Sequence, residues 1–227
     1  MEARSEGDTR PRLLIWGAGG HGRVVADVVR AVGGVVEGFV DRDATRLGHE
    51  VEPDGTRILF SEMEFMEHLR RFRSCPPPAS AVAIAIGDNA ARWPARLALG
   101  ALVAPALVHP RATVSPSAAI GAGSVVCAGS VVNAGARIGE GVIINTGVVV
   151  EHDCQIDSGV HLSPRATLCG GVSVGSGSWI CAGATVIPGV RIGSGVVVGA
   201  GAVVLSDVPA GAVVVGNPAR QIIRRSE

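Results

Sequence analysis

One spacing constrains this chain more than any other feature: from Val108 to Val204 an aliphatic residue stands at every sixth position. The series runs Val108, Val114, Ile120, Val126, Val132, Ile138, Ile144, Val150, Ile156, Leu162, Leu168, Val174, Ile180, Val186, Ile192, Val198 and Val204. Four residues after each comes a small or β-branched side chain. Glycine precedes that residue in twelve of the fourteen hexads from Gly123 to Gly201. A helix would ask for a period of 3.6 and an alternating strand for 2, and a fixed short repeat decides the architecture. Six residues per flat wall and eighteen per coil make a three-walled prism, with the aliphatic residue inward and glycine at the corner, where the backbone angle resists a side chain. Coils then pair as parallel strands about 4.8 Å apart. Glycine is abundant, at 32 residues, while aromatics make up 3% and tyrosine is absent, which suits a narrow core of Val, Ile and Ala.

The residues flanking each inward aliphatic should point outward, so the walls can be compared. The wall on Ile120, Ile138, Ile156, Val174 and Ile192 shows Arg137, Gln155, Asp157, Ser173 and Arg191, a wet surface. The wall on Val126, Ile144, Leu162, Ile180 and Val198 shows Val125, Ile143, Trp179 and Val197, with Asn145 and His161. The remaining wall shows Val131, Val149, Ile187, Val203 and Leu205. Two apolar walls and one polar wall suit a homotrimer in which each prism touches two neighbours, because apolar patches of that extent are unusual on a soluble monomer.

Residues 1–104 read as a small Rossmann-like α/β domain and residues 105–227 as the prism. Leu13 to Trp16 is a buried strand running into Gly17-Ala18-Gly19-Gly20-His21-Gly22, followed by an amphipathic helix over Arg23 to Val32 and a strand from Val35 to Asp41. The glycines let backbone approach a pyrophosphate at the helix N-terminus. The domain is too short for the two-halved dinucleotide fold and His21 is unusual in an NAD loop, so a nucleotide-sugar fits the pyrophosphate better. A turn that only packs strand on helix is the plainer alternative. Ser61 to Glu64 is a capping box opening a helix to about Phe72. Ala81 to Ile86 reads as another strand, and a helix over Ala90 to Leu99 carries Pro94 in its first turn. His49 and His68 read as surface residues and His109 as a coil-edge residue.

The net charge is zero, so nothing favours nucleic acid or an anionic membrane. Met1 to Arg12 is polar, no apolar run reaches the roughly 18 residues of a membrane span, and a cytoplasmic protein is expected. The five cysteines match no zinc pattern, and no two are one coil apart, so reduced thiols are expected.

The corner glycine is replaced twice, by Asp153 and by Arg165. Asp153 follows His152, and an imidazole beside a carboxylate looks like a general base with its orienting group. A solvated polar corner is the alternative. One coil on lie Gly170 and Gly171, and one further Pro188 and Gly189, a smooth column suited to an extended pantetheine arm. There the Gly170 N–H could meet a thioester oxygen.

The glycine loop, Ile144-Asn145-Thr146-Gly147 leading to Glu151-His152-Asp153, His161, and the ending Val208-Pro209-Ala210-Gly211 with Gly216-Asn217-Pro218-Ala219-Arg220 together resemble one family. It is the hexapeptide-repeat sugar acetyltransferases of the PglD/NeuD type, which comprises bacterial nucleotide-amino-sugar N-acetyltransferases and sialic acid O-acetyltransferases. The resemblance covers about residues 12–223. It implies a left-handed parallel β-helix, acetyl-CoA as cosubstrate and no metal. It also implies roles: His152 takes the proton from the sugar amine, Asp153 orients the ring and Asn145 places the amine. His161 contacts CoA or the acetyl group. Gly19, Gly20 and His21 hold the diphosphate, and Asp41 contacts the base or ribose. Gly216, Pro218 and Ala219 cover CoA beside the column of Gly170, Gly171 and Pro188. Arg42 to Thr56 would read the base. His152 and Asn145 start on different walls, so sites between subunits are expected; the sequence assigns Arg165 no role, and a salt bridge across the trimer is a guess.

The expected activity is acetyl transfer to the amine of a nucleotide-linked 4-amino-4,6-dideoxy sugar. O-acetylation of a sugar such as sialic acid is the alternative. A nucleotide-dependent oxidoreductase or non-catalytic nucleotide-binding module is the reading from another class.

Overall fold

The structure, a computed structural model, describes residues 9–222. Most of the polar Met1–Arg12 stretch lies outside these residues. Four strands, β1 (Arg12–Trp16), β2 (Val35–Asp41), β3 (Ile58–Ser61) and β4 (Ala81–Ile84), form one parallel sheet in the order β3-β2-β1-β4. Three helices accompany it: α1 (Gly20–Ala31), α2 (Glu62–Phe72) and α3 (Asn89–Leu99).

Helix α1 starts three residues earlier than the sequence predicts. A Cβ on Gly22 would lie 2.1 Å from the Gly17 carbonyl oxygen, so glycine lets the helix begin at once against the end of β1. The capping box on α2 is present, with the Ser61 amide donating to Glu64 Oε2 at 2.8 Å and the Glu64 amide donating to Ser61 Oγ at 3.3 Å. Pro94 is the sixth residue of α3, in its second turn rather than its first. It leaves the Ala90 carbonyl without a helical donor.

From Leu107–Val108 to Val203–Val204 the chain makes seventeen two-residue strands, each closing on an aliphatic residue of the six-spaced series. Strand partners lie one coil apart, as in Val125, Ile143, His161, Trp179 and Val197. Three parallel sheets result, the walls of a left-handed parallel β-helix. We number them in chain order: the first wall carries Val126 and Ile144, the second Val132 and Val150, the third Ile138 and Ile156. The core is continuous from Val126 to Val214. A hairpin of Val213–Val215 with Arg220–Ile222 extends the first wall.

The outward side of the first wall departs from expectation. Val125 and Ile143 are buried, not open to a neighbour, and Val125 packs with Val25, Val28 and Ala83 of the chain's own α/β unit. Outward apolar residues signal cover but do not say what supplies it. The second wall stays half-exposed at Val131, Val149 and Val203, and exposed at Leu205. On the third wall Arg137, Gln155, Asp157 and Arg191 are exposed. His49 is exposed, but His68 is half-buried, its ring 4.7 Å from that of Phe72. His109 is half-buried and accepts from the Arg111 amide. All five cysteines are thiols. Among the described residues no helix is long and apolar enough to cross a membrane.

Candidate active site

Asp153 holds a left-handed backbone angle, φ 60°, at a corner that its counterparts leave to glycine. That conformation costs a side-chain-bearing residue roughly 1–2 kcal/mol, yet here it sets the carboxylate beside the preceding residue. Asp153 Oδ2 lies 2.9 Å from His152 Nδ1. With the carboxylate ionised, Nδ1–H donates and Nε2 keeps its lone pair. Nε2 faces the glycine column: a Cβ added to Gly170 would lie 2.5 Å from it. Gly135 gives room on the other side, where a Cβ would meet Asp153 Oδ1 at 2.6 Å. Gly171, Pro188 and Gly189 continue an exposed, side-chain-poor track. The Gly171 amide donates to the His152 carbonyl at 2.9 Å, whereas that of Gly170 finds no acceptor among the described residues. This corner therefore joins a base, an unoccupied donor and a channel fit for a thin flexible chain. The His152 and Asp153 side chains are 63% and 73% exposed, so one copy of the chain leaves the corner open to water.

The glycine loop divides by role. Gly17 and Gly22 are packing glycines, since a Cβ on Gly17 would fall 2.6 Å from the Ala85 carbonyl oxygen. Gly19 and Gly20 face open space. Helix α1 has Gly19 as N-cap, with no side-chain cap and no acidic residue in its first turn. Its leading N–H groups are thus available to an anion. Beside them is a cavity of about 700 Å³ walled by Gly19, Asp41, Arg42, Arg46, Ile86 and Asp88 among others. Asp41 is already engaged, accepting from Arg46 at 2.6 Å and from the Asp43 amide at 2.9 Å. Arg46 also reaches the Ala18 carbonyl, an arginine over the cavity that the sequence named only as part of the Arg42–Thr56 loop.

His21 and His161 lie elsewhere than the cavity wall. His161 sits on the first wall, 9% exposed, its ring stacked on Trp179 with centroids 5.7 Å apart. His21 Nε2 has no hydrogen-bond partner, and the backbone of Gly87, the group that comes nearest to bonding the His161 ring, only partly offsets its burial. Burial, reinforced by the Arg92 guanidinium, lowers both pKa values to about 4, and His21 adds to the effect on His161. Both rings are therefore neutral at ordinary pH. His152 occupies the corner between the second and third walls, opposite the first, so one chain does not bring His152 and His161 together. Asn145, at the corner of the first and second walls, turns its side-chain oxygen to the Thr146 amide at 2.8 Å. Gly216, Pro218 and Ala219 form the turn of the C-terminal hairpin, tied to the coil by the Ala219 amide donating to the Val203 carbonyl. Arg165 also holds φ 60°, lying over Gly147.

The sequence reading missed Arg92, 1% exposed at the junction of α3 and the prism, and a second cavity of about 740 Å³ between Trp93 and Trp179. The available signal was the i, i+3, i+4, i+7 spacing of Asn89, Arg92, Trp93 and Arg96, a polar face on a helix otherwise read from its apolar residues. Among the described residues no group of three or more His, Cys, Asp or Glu is placed to hold a metal ion.

Residues 12–95 match the family described as the PglD N-terminal domain, and residues 135–170 and 171–206 match the bacterial transferase hexapeptide family. Among solved structures, a histidine-to-asparagine mutant of perosamine N-acetyltransferase from Caulobacter crescentus, in complex with CoA and GDP-perosamine, is 38% identical. It has a TM-score of 0.82, and the alignment covers 92% of this chain and 96% of that one. The acetyltransferase domain of PglB from Neisseria gonorrhoeae, in complex with acetyl coenzyme A, is 39% identical with a TM-score of 0.83, over 94% of this chain and all (100%) of that one. WeeI from Acinetobacter baumannii is 28% identical, with a TM-score of 0.72, over 92% and 99% of the two chains. No curated protein matches the chain.

Proposed function

Since the chain belongs to the hexapeptide-repeat sugar N-acetyltransferases of the PglD type, which are acetyl-CoA-dependent enzymes, we propose that it acetylates the amine of a nucleotide-linked 4-amino-4,6-dideoxy sugar with His152 as general base. The observation that carries this is the His152–Asp153 pair, with Nε2 turned to the Gly170 column. His152 Nε2 takes the amine proton as nitrogen bonds to the thioester carbonyl carbon. The carbon–sulfur bond then breaks and the proton passes to the departing thiolate. Asp153 holds the ring, and the Gly170 amide meets the charge that develops on the carbonyl oxygen. The α1 N-terminus with Gly19 and Gly20 binds the diphosphate, and Asp41, Arg42 and Arg46 face the nucleoside. In the perosamine enzyme, forms with one histidine replaced by asparagine or alanine still hold CoA and GDP-perosamine. That pattern suits a histidine needed for chemistry and not for binding.

The division of labour follows residues 1–104 for the nucleotide and 105–227 for acetyl transfer. The protein works as a homotrimer, for which the half-exposed second wall and the open His152 corner leave room. Sites between subunits would bring His152 of one chain toward the His161 side of the next. Both substrates are water-soluble, and a cytoplasmic enzyme is part of this reading.

The test is CoA thiol release with UDP-, GDP- and dTDP-linked 4-amino-4,6-dideoxy sugars, with sialic acid as the O-acetyl acceptor. Turnover on an amino sugar with an N-acetyl product supports the proposal. Turnover on sialic acid alone transfers the reading to O-acetylation, and turnover on none refutes both.

A further inference from the structure

Arg92 is a buried cation that faces only neutral acceptors. Its five N–H donors meet five oxygens: Nε the Gly141 carbonyl at 2.9 Å, Nη1 the carbonyls of Ile86 and Gly87 at 3.1 and 3.0 Å, and Nη2 the Gly159 carbonyl at 2.7 Å and Asn89 Oδ1 at 2.6 Å. Ile86 and Gly87 follow β4, and Asn89 opens α3. Gly141 and Gly159 are corners of consecutive coils. One planar group therefore spans the two halves of the molecule and saturates the backbone of both.

The rest of α3 continues the contact at helical spacing. Asn89 Nδ2 donates to the carbonyls of Gly177 and Ser178 at 2.9 and 3.1 Å, and Arg96 Nη2 to Glu140 Oε2 at 2.9 Å. Trp93 lies against Gly141 and Gly159, and Arg96 against Gly123. A helical turn rises about 5.4 Å and a coil about 4.8 Å. Successive turns of α3 can therefore engage successive corners, and glycine at each corner lets the helix approach.

Burying an arginine with no carboxylate bonded to it, Asp88 acting only through space, is a costly way to gain stability, whereas its rigid fork fixes direction as a lysine cannot. We propose that Arg92 is a positioning residue for acetyl transfer: by riveting α3 to the glycine corners it fixes the nucleotide-binding loop relative to the β-helix that carries His152. Ile86 and Asp88, on either side of Gly87, line the nucleotide cavity, so the rivet holds its wall. Its partial desolvation agrees with this, burial lowering the Arg92 pKa to about 10, still charged at neutral pH.

The activity arm of the test rests on the proposed function, and the structural arm does not. In Arg92→Lys, amide hydrogen exchange should rise at least tenfold over residues 86–99 and stay unchanged at the corners around Gly171 and Gly189. Transfer to GDP-perosamine, or to whichever amino sugar of the acceptor panel turns over, should fall at least tenfold in kcat, while the KM for acetyl-CoA stays within twofold. Arg92→Met should deepen both effects. If it does not fold, Asn89→Ala, which removes one acceptor of the guanidinium and both bonds to the Gly177 corner, gives the same signs at smaller size. Unchanged exchange in residues 86–99 overturns the rivet whatever the substrate. Raised exchange with wild-type kcat, or with an equal rise in both KM values, overturns the positioning role. Raised exchange with no transfer by the wild type to any amino sugar instead removes the proposed function and reduces Arg92 to a structural anchor.

Discussion

At the scale of single residues, the two non-glycine corners separate structural cost from chemical use. Asp153 and Arg165 share φ 60°, but only Asp153 meets a neighbouring functional group. Arg165→Gly should therefore raise the unfolding free energy by about 1 kcal/mol, read by urea denaturation, with activity unchanged. Asp153→Gly should gain a similar amount and lose most of its turnover, because Nδ1 of His152 is then left without its acceptor. Gly170→Ala tests the ring's position more directly. Its Cβ would fall within 2.6 Å of His152 Nε2 and Cε1, so the imidazole must swing away. We expect kcat to drop at least tenfold with an unchanged melting temperature; an unchanged kcat would show that the ring's observed position is not the working one.

At the scale of elements, the corners between the third and first walls carry their own polar pins. Ser178, fully buried, donates to the Gly193 carbonyl at 2.7 Å and accepts from the Val196 amide at 3.0 Å, and Ser124 does the same for Gly139 and Val142. Ser178→Ala leaves the buried Val196 amide and the half-buried Gly193 carbonyl unpaired and should cost about 1–3 kcal/mol in chemical denaturation. A cost below about 0.5 kcal/mol would mean that water enters the corner. The prism was fully legible in the sequence because one inward residue per wall repeats without interruption, and all seventeen strands close on that residue. The bounds of α1 and the turn that holds Pro94 were not, because both depend on backbone contacts across the fold, such as Gly22 against Gly17, that no local pattern expresses.

At the scale of the whole molecule, the α/β unit and the β-helix meet around buried polar groups set beside the apolar packing of Val125 on Val25, Val28 and Ala83. His21 and His161 are neutral in the fold down to about pH 4, whereas in the unfolded chain they titrate near 6.5. Above pH 6.5 neither state binds these protons. Between 6.5 and 4 the unfolded chain binds protons that the fold refuses, so stability falls as pH falls, on the order of a few kcal/mol for the pair. Denaturation at pH 7 and pH 5 should show the loss in the wild type and a smaller one in His161→Gln; equal loss in both would remove His161 from the account. The sequence made His152, Asp153 and the Gly170 column legible because a broken repeat marks its own exceptions. It did not disclose that Val125, Ile143 and His161 lie beneath the chain's own α/β unit, since an outward apolar residue carries no sign of what covers it. Arg92 was equally silent, being one arginine among many until its five acceptors are seen together. The central claim is that His152, held by Asp153, is the proton acceptor in acetyl transfer. Single-turnover acetyl transfer by His152→Ala, with both substrates saturating, tests it most directly. The account predicts a loss of roughly 10²-fold or more in the chemical step with acetyl-CoA binding retained, and a rate near that of the wild type would contradict it.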